Sequence, residues 1–441
     1  MSASSTRGPS VRAPALACLL LLLGAAAPGF AQQRDVRIDI SSGQGRRIRV
    51  HCESLAAAGD KNAHETSVQA DEVLAGDLET SAVFTVTRSW ASGEQPFDVQ
   101  AVVGGKWTAN GNQIKLSGEV RDFPARRPIL VKDYRGAARD WRSIVHQFAD
   151  DIVLQFTGEP GVAQTRIAFV TQSGREKELC VMDVDGAGLT QLTRDRSIAL
   201  SPAWSPDGSL VLFTSYRGGH GPQIFVNAAA GGRAYLVSGR PGLNTSASYS
   251  PDGRQVVCTL SQDGNPEIYL LDARGGSPRR LTDNRAIDTS PCWSPTGQEI
   301  AFTSDRSGNP QVYVMDREGG NVRRLTYEVD YTDSPAWSPK GDRIALVSRT
   351  GSGFDIYVCR ADGTGARPVV TGKSNENPRW SPDGRHLVFA SNRDGDYALY
   401  VTDLDDRPPR KLSTGGRTAL SPAWSPRPAS TRSAFNLNPG Q

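Results

Sequence analysis

The side chains able to do chemistry are few and far apart. Five histidines, His51, His64, His146, His220 and His386, form neither an H-E-x-x-H pair nor any other short metal-ligand spacing. Each reads as a surface or packing histidine. A metal-dependent lyase or lactonase would need such distant residues to converge in space. No G-x-S-x-G stretch is present, so the strained turn that exposes a hydrolase serine is not encoded. Two acidic loops, Asp305-Arg306-Ser307-Gly308-Asn309 and Asn392-Arg393-Asp394-Gly395-Asp396, resemble calcium loops superficially. An EF-hand needs about twelve residues ending in a bidentate glutamate, and that is missing. The two loops recur at one point of a repeat, which assigns them to turns: glycine for positive φ, Asp and Asn for local side-chain bonds. After Cys18, the cysteines are Cys52, Cys180, Cys258, Cys292 and Cys359. An odd, scattered set is not a disulfide framework. Four sit in strand-like runs as small hydrophobes, with one bridge left open as an alternative in an oxidising compartment. No catalytic residue, cofactor site or resident metal is expected, and a binding module is favoured over an enzyme. A hydrolase or metal-dependent lyase is the competing class.

The elements that would position a site repeat along the chain. SPAWSPDG surrounds Trp204, SASYSPDG Tyr249, SPCWSPTG Trp293, SPAWSPKG Trp337, NPRWSPDG Trp380 and SPAWSP Trp424. The aromatic residues are spaced by 45, 44, 44, 43 and 44. A period of about 40–45 with four strand-sized segments per unit is the signature of a propeller blade. In one unit SPCWSPTG, EIAFTS, QVYVMD and RRLT are the strands from inside to outside, with Pro-Asp-Gly variants turning the first into the second. Strands two to four occur six times, from RIAFVTQ at Arg166 to RKLST at Arg410, while SPAWSP around Trp424 has no followers. Placing that last strand inside the blade begun at Arg166 closes the ring and removes its open edge. The expectation is an all-β, six-bladed propeller over residues 161–428, then a flexible tail, 429–441.

Residues 32–160 have another grammar and read as a smaller N-terminal α/β domain. Strands are expected at 35–40, 99–103, 113–120 and 129–133. Helices are expected at 65–78, with Val68, Val73, Leu74 and Leu78 facing inward, and at 138–156, where Trp141, Ile144, Val145, Phe148 and Ile152 mark a buried stripe. Gly158-Glu159-Pro160-Gly161 ends the second helix. Residues 1–31 read as a secretory signal peptide: Arg7 and Arg12, an apolar run with five leucines at 19–23, and small residues Gly29 and Ala31 at the cleavage site. The run is shorter than the roughly 20 residues of a membrane span. With 50 basic and 47 acidic residues, the chain shows no pull toward nucleic acid or anionic membrane.

With these motifs in place, the chain resembles the TolB family, the periplasmic propeller proteins of the Tol–Pal system of Gram-negative bacteria. The blade motifs SPAWSPDG and IAFTSDRSGNPQVYVMD are shared with other propellers. The order of VRIDISSG, ADEVLAGDLETSAVF and DWRSIVHQFADDIVLQFTGEPGVAQTRIAFV is similar to the family's N-terminal strand, its first helix and its domain junction. Tyr249 departs from the tryptophan pattern, and the tail is longer than the motif requires. The resemblance implies a monomeric, periplasmic, non-catalytic protein. It implies docking of the lipoprotein Pal on the propeller, and thus a peripheral place at the outer membrane. It also implies contact of the mature N-terminus, beginning Gln32, Gln33, Arg34 and Asp35, with TolA, in support of envelope integrity and cell division. If the inner strand runs downward, its PDG turn lies below, and the loops before each aromatic strand lie on top. Those loops differ from blade to blade, as recognition of an asymmetric partner requires. The docking residues expected there are Leu243, Asn244, Ser246, Asp288 and Thr289.

Overall fold

Six four-stranded antiparallel sheets stand around a common axis in the computed structural model, which describes residues 47–59, 61–88, 98–351, 353–405 and 407–428. The expected signal peptide, the strand at 35–40, residues Gln32, Gln33, Arg34 and Asp35, and the tail lie outside the described residues. Blades 2 to 6 each run inner strand first: Ala199–Trp204, Asn244–Tyr249, Asp288–Trp293, Thr332–Trp337 and Asn375–Trp380. Blade 1 is composite. Its inner strand is the chain's last, Thr418–Trp424, paired antiparallel with Arg166–Ser173, so the expected closure is observed. The seam is also fastened by Arg166 N donating to Ser425 Oγ at 2.9 Å.

The ring holds together because each blade is apolar on both faces. Second and third strands such as Glu299–Ser304 and Gln311–Asp316 are almost wholly buried, and their side chains interleave with the neighbouring blade. Each pair of adjacent blades shares one apolar cluster. Phe169 and Leu399 join blades 1 and 6, Phe302 and Leu270 join blades 4 and 3, and Phe389 and Ile356 join blades 6 and 5. The repeated tryptophan adds a polar tie. Trp204 Nε1 donates to Ala423 O at 3.0 Å and Trp380 Nε1 to Ala336 O at 2.9 Å, each reaching the preceding blade.

The N-terminal domain is a mixed sheet under two helices. Strands β1 (Ile48–Cys52), β2 (Ala56–Gly59), β3 (Phe84–Thr87), β4 (Ala101–Asn110), β5 (Gln113–Asp122) and β6 (Pro128–Ala137) order as β3-β1-β4-β5-β6, with β2 also on β4. Helix α1 is Lys61–Thr80 and α2 is Trp141–Thr157. Gly158, at φ 76°, ends α2 and donates its N–H to Leu154 O, the left-handed stop a glycine permits without steric cost. Two expectations need correction. Val68 is 60% exposed, because α1 buries Ala63, Ser67, Ala70, Leu74 and Leu78 instead. The strand expected at 99–103 begins at Ala101 and runs to Asn110, since Gly104 and Gly105 lie within it and do not end it.

The domain sits against the propeller face that carries the PDG turns. Glu159 pairs with Lys340 at 3.1 Å and with Arg385 at 3.8 Å, both on those turns. Arg427 donates to the carbonyls of Pro160 and Gly161 at 2.6 and 2.9 Å. Arg47 pairs with Asp403 of blade 6.

Candidate partner-binding face

The opposite face is built of two loops per blade: the one after the second strand and the one before the next inner strand. The second kind is staked from below. A buried polar residue in the first three positions of the third strand binds the loop beyond it. Glu178 accepts Arg196 N at 2.8 Å, Glu267 accepts Asn284 N at 2.8 Å, and Asp355 accepts Gly372 N at 3.0 Å. Gln311 instead donates to Val329 O and Asp330 O at 3.0 and 2.9 Å. Buried loop groups need such partners. These four residues shape the face, and reading the sequence for chemistry passed over them. Their signal was present: a Glu, Gln or Asp at the head of a strand otherwise apolar, as in PEIYLLD and PQVYVMD.

Asn244 and Asp288, expected to meet a partner, are fully buried. Asn244 Oδ1 accepts Ser238 Oγ at 2.7 Å and Arg240 N at 2.9 Å, and its Nδ2 donates to Arg240 O at 2.7 Å. Asp288 Oδ2 accepts Arg306 Nη2 at 2.7 Å and Asn284 Nδ2 at 2.8 Å. Each is the first residue of an inner strand, where the side chain points into the blade and serves as a post for its loop. Leu243, one residue earlier, is 37% exposed and faces solvent. Thr289 is half-buried and lines a groove of about 150 Å³ with Ile287, Tyr331 and Asp333. Ser246 stands in the wall of the axial channel, away from the loop tip.

Ser246 belongs to a ring. Ser201, Ser246, Ser290, Ser334, Asn377 and Ser421 occupy one position in the six inner strands, and all have φ between 46° and 54°. Each sits at a break in strand register, as between Thr245 and Ser248, so each is the kinked residue of a β-bulge. The channel they surround has a volume of about 390 Å³, and Arg379 is the one charged side chain among the described residues lining it. Burial holds the Arg379 guanidinium below the usual arginine range, against the pull of Cys292 and Asp333.

Large apolar side chains are exposed on successive loops of this face, from blade 2 to the loop after blade 4. Tyr216, Leu243, Ile287 and Tyr327 are 38%, 37%, 51% and 71% exposed. They stand amid polar and charged loops such as Asp283-Asn284-Arg285 and Glu328-Val329-Asp330. Apolar anchors inside a polar rim are the make-up of a protein-binding surface. Among the described residues no group of three or more His, Cys, Asp or Glu is arranged to hold a metal.

Fold and face together define a six-bladed propeller protein with an N-terminal α/β region against one end and, among the described residues, exposed loops at the other. The profile of the TolB beta propeller domain matches residues 153–428. The chain belongs to the TolB family. Two relatives, each named Tol-Pal system protein TolB, come from Anaeromyxobacter sp. and Cereibacter sphaeroides. They are 37% and 35% identical over 57% and 53% of this chain. The matches span 60% and 56% of the relatives' own lengths, less than two thirds. The crystal structure of TolB from Acinetobacter baumannii is similar with a TM-score of 0.77 at 27% identity. That likeness covers 86% of this chain and 97% of the other.

Proposed function

We propose that this protein is a periplasmic, non-catalytic binding component of the Tol–Pal system. It docks the lipoprotein Pal on the open loop face of its propeller and meets TolA through its mature N-terminus, helping to maintain the outer membrane and support division. The names of its relatives support the system. The observation that carries the docking site is the apolar group Leu243, Ile287 and Tyr327 on the face that the N-terminal domain leaves open. Thr289 shares a groove with Ile287 of this group, Ser246 lies apart in the channel wall, and Asn244 and Asp288 hold the loops in shape from beneath.

The test is binding of the soluble domain of Pal to purified protein. Leu243→Arg with Ile287→Arg places two charges among the anchors while leaving the buried posts intact. Exposed loop changes of this kind cost within about 0.5 kcal/mol of stability. Affinity is expected to fall at least about tenfold, near 1.4 kcal/mol, with the denaturation midpoint unchanged. A folded double variant with undiminished affinity would remove the site from this face. Deleting Gln32 to Arg34 should weaken TolA binding alone; if binding persists, the contact lies elsewhere.

A further inference from the structure

A second cluster lies at the seam between the two domains, away from the loop face. His146 on α2 is 4% exposed. Its Nδ1 is 2.7 Å from Asp77 Oδ2 on α1, and its Nε2 is 3.5 Å from Asp185 Oδ2 in the turn after the third strand of blade 1. Arg142, one helical turn before His146, pairs with the same Asp185. A cleft of about 340 Å³ opens beside them, bounded by Glu72, Gly76 and Asp77 of α1, Val184 and Asp185 of blade 1, and Arg410 of blade 6.

We infer that His146 is a proton-operated clasp that fastens the N-terminal domain to blade 1. The argument is one of donors and charge. A neutral imidazole carries one N–H and can donate to Asp77 or to Asp185, leaving a lone pair toward the other carboxylate. An imidazolium donates to Asp77 and places a second N–H and a positive charge 3.5 Å from Asp185, tying α1 through α2 to the blade 1 turn. The charged groups around it come from every packed element: Asp77 from α1, Arg142 from α2, Asp183 and Asp185 from blade 1 and Arg410 from blade 6. Glu79 of α1, Asp150 of α2 and Arg166 of blade 1 lie further out, facing Arg410, Asp77 and Asp183 respectively. Arg142 pairs with Asp185 and Arg166 faces Asp183, so the carboxylate that depends on the imidazolium is Asp77, whose ion-pair partner among the described residues is His146. Without that proton Asp77 is a buried charge with no cation in contact, which is costly. Burial opposes protonation of His146, but Asp77 and Asp185 outweigh it and raise its pKa. A group raised on folding contributes fully below its unfolded value, about 6.5, and the contribution fades as pH rises through the folded value. The seam is therefore tight in acid and loosens toward alkaline pH.

Amide exchange measured on the intact protein from about pH 5.5 to about pH 9, expressed as protection so that intrinsic rates cancel, reads the clasp directly. Protection of α1 residues 70–80 and of the turn 184–188 should fall progressively across that range. Protection in the interblade strands should stay level. His146→Gln donates to one carboxylate without titrating, so the fall in its seam should be smaller than in the native protein, leaving only what Asp77, Asp150 and Asp183 contribute. A level seam in the native protein, or an equal fall in the variant, would overturn the clasp. The ring protons of His146, followed by NMR in the native chain, give an answer that needs no variant: a titration midpoint at or below about 6.5 also overturns it.

Discussion

The six left-handed residues around the channel are where the chain departs furthest from ordinary strand geometry. A non-glycine residue at such a φ carries a cost of about 1–3 kcal/mol, and serine and asparagine lower it by bonding locally. Ser290→Gly removes the steric term, whereas Ser290→Val adds a β-branch to it. The valine variant is expected to unfold about 1–2 kcal/mol more readily than the glycine variant in a denaturant titration. Asp150 offers a pH-dependent counterpart. Burial pushes its carboxyl up to about 6, although it accepts Ala163 N at 2.8 Å and Gln164 N at 3.1 Å. The folded value lies above the unfolded one of about 3.9. Its contribution to stability is therefore full in acid and lost as pH rises through about 6. Asp150→Asn does not titrate. The stability of that variant minus that of the native protein should rise by about 1–3 kcal/mol between about pH 4 and 6.5. Equal slopes would contradict this. The S-P motif located the inner strands but concealed the bulges, because a residue before proline ordinarily stays extended. Asn244 and Asp288, read from the sequence as loop residues, open inner strands with their side chains buried. In a strand one step of sequence exchanges the two faces, so Leu243 faces solvent and Asn244 does not.

At the scale of elements, the repeat made the propeller readable and the absence of one made the N-terminal domain harder. Blade strands were marked six times over by the same turn and the same aromatic residue. Strands β1, β2 and β3 are four or five residues long and pair in parallel, so neither hairpin turns nor long alternation announced them. The first half of helix α1 packs through Ala63, Ser67 and Ala70, which carry little periodic signal beside an exposed Val68. Close packing recurs on the sheet. A Cβ on Gly118 would lie 2.6 Å from the Phe148 ring, so Gly118→Val forces β5 and α2 apart. It should cost about 1–3 kcal/mol by thermal or chemical unfolding, and a neutral result would contradict that packing. The closing strand is more demanding still. Trp424 is buried and its Nε1 donates to Thr165 Oγ1 at 2.8 Å. Trp424→Ala should lose about 3–5 kcal/mol. Trp337→Ala should lose less, because that indole is only half-buried and bonds Gly341 O within its own turn.

For the molecule as a whole, the two propeller ends are unlike by construction. The PDG turns are short and nearly uniform, and they make a level seat for the N-terminal domain. The staked loops at the other end vary in sequence while sharing one kind of support. That division lets the loop tips change without disturbing the ring, and it is why the paired charges at Leu243 and Ile287 are a fair test of docking.

Blade 1 draws its strands from both ends of the propeller, with Arg166 and Ser425 joined across 259 residues. On the ribosome, where chains emerge at about 5–20 residues per second, Arg166–Ser173 must wait for five later blades before its partner exists. During that wait its inner edge can accept the last strand of another copy as well as its own. A crowded or over-produced preparation is thus exposed to exchange of C-terminal strands, giving swapped pairs whose seams are identical to the native one. Such pairs would be recognised by their size, since every local contact would remain the same.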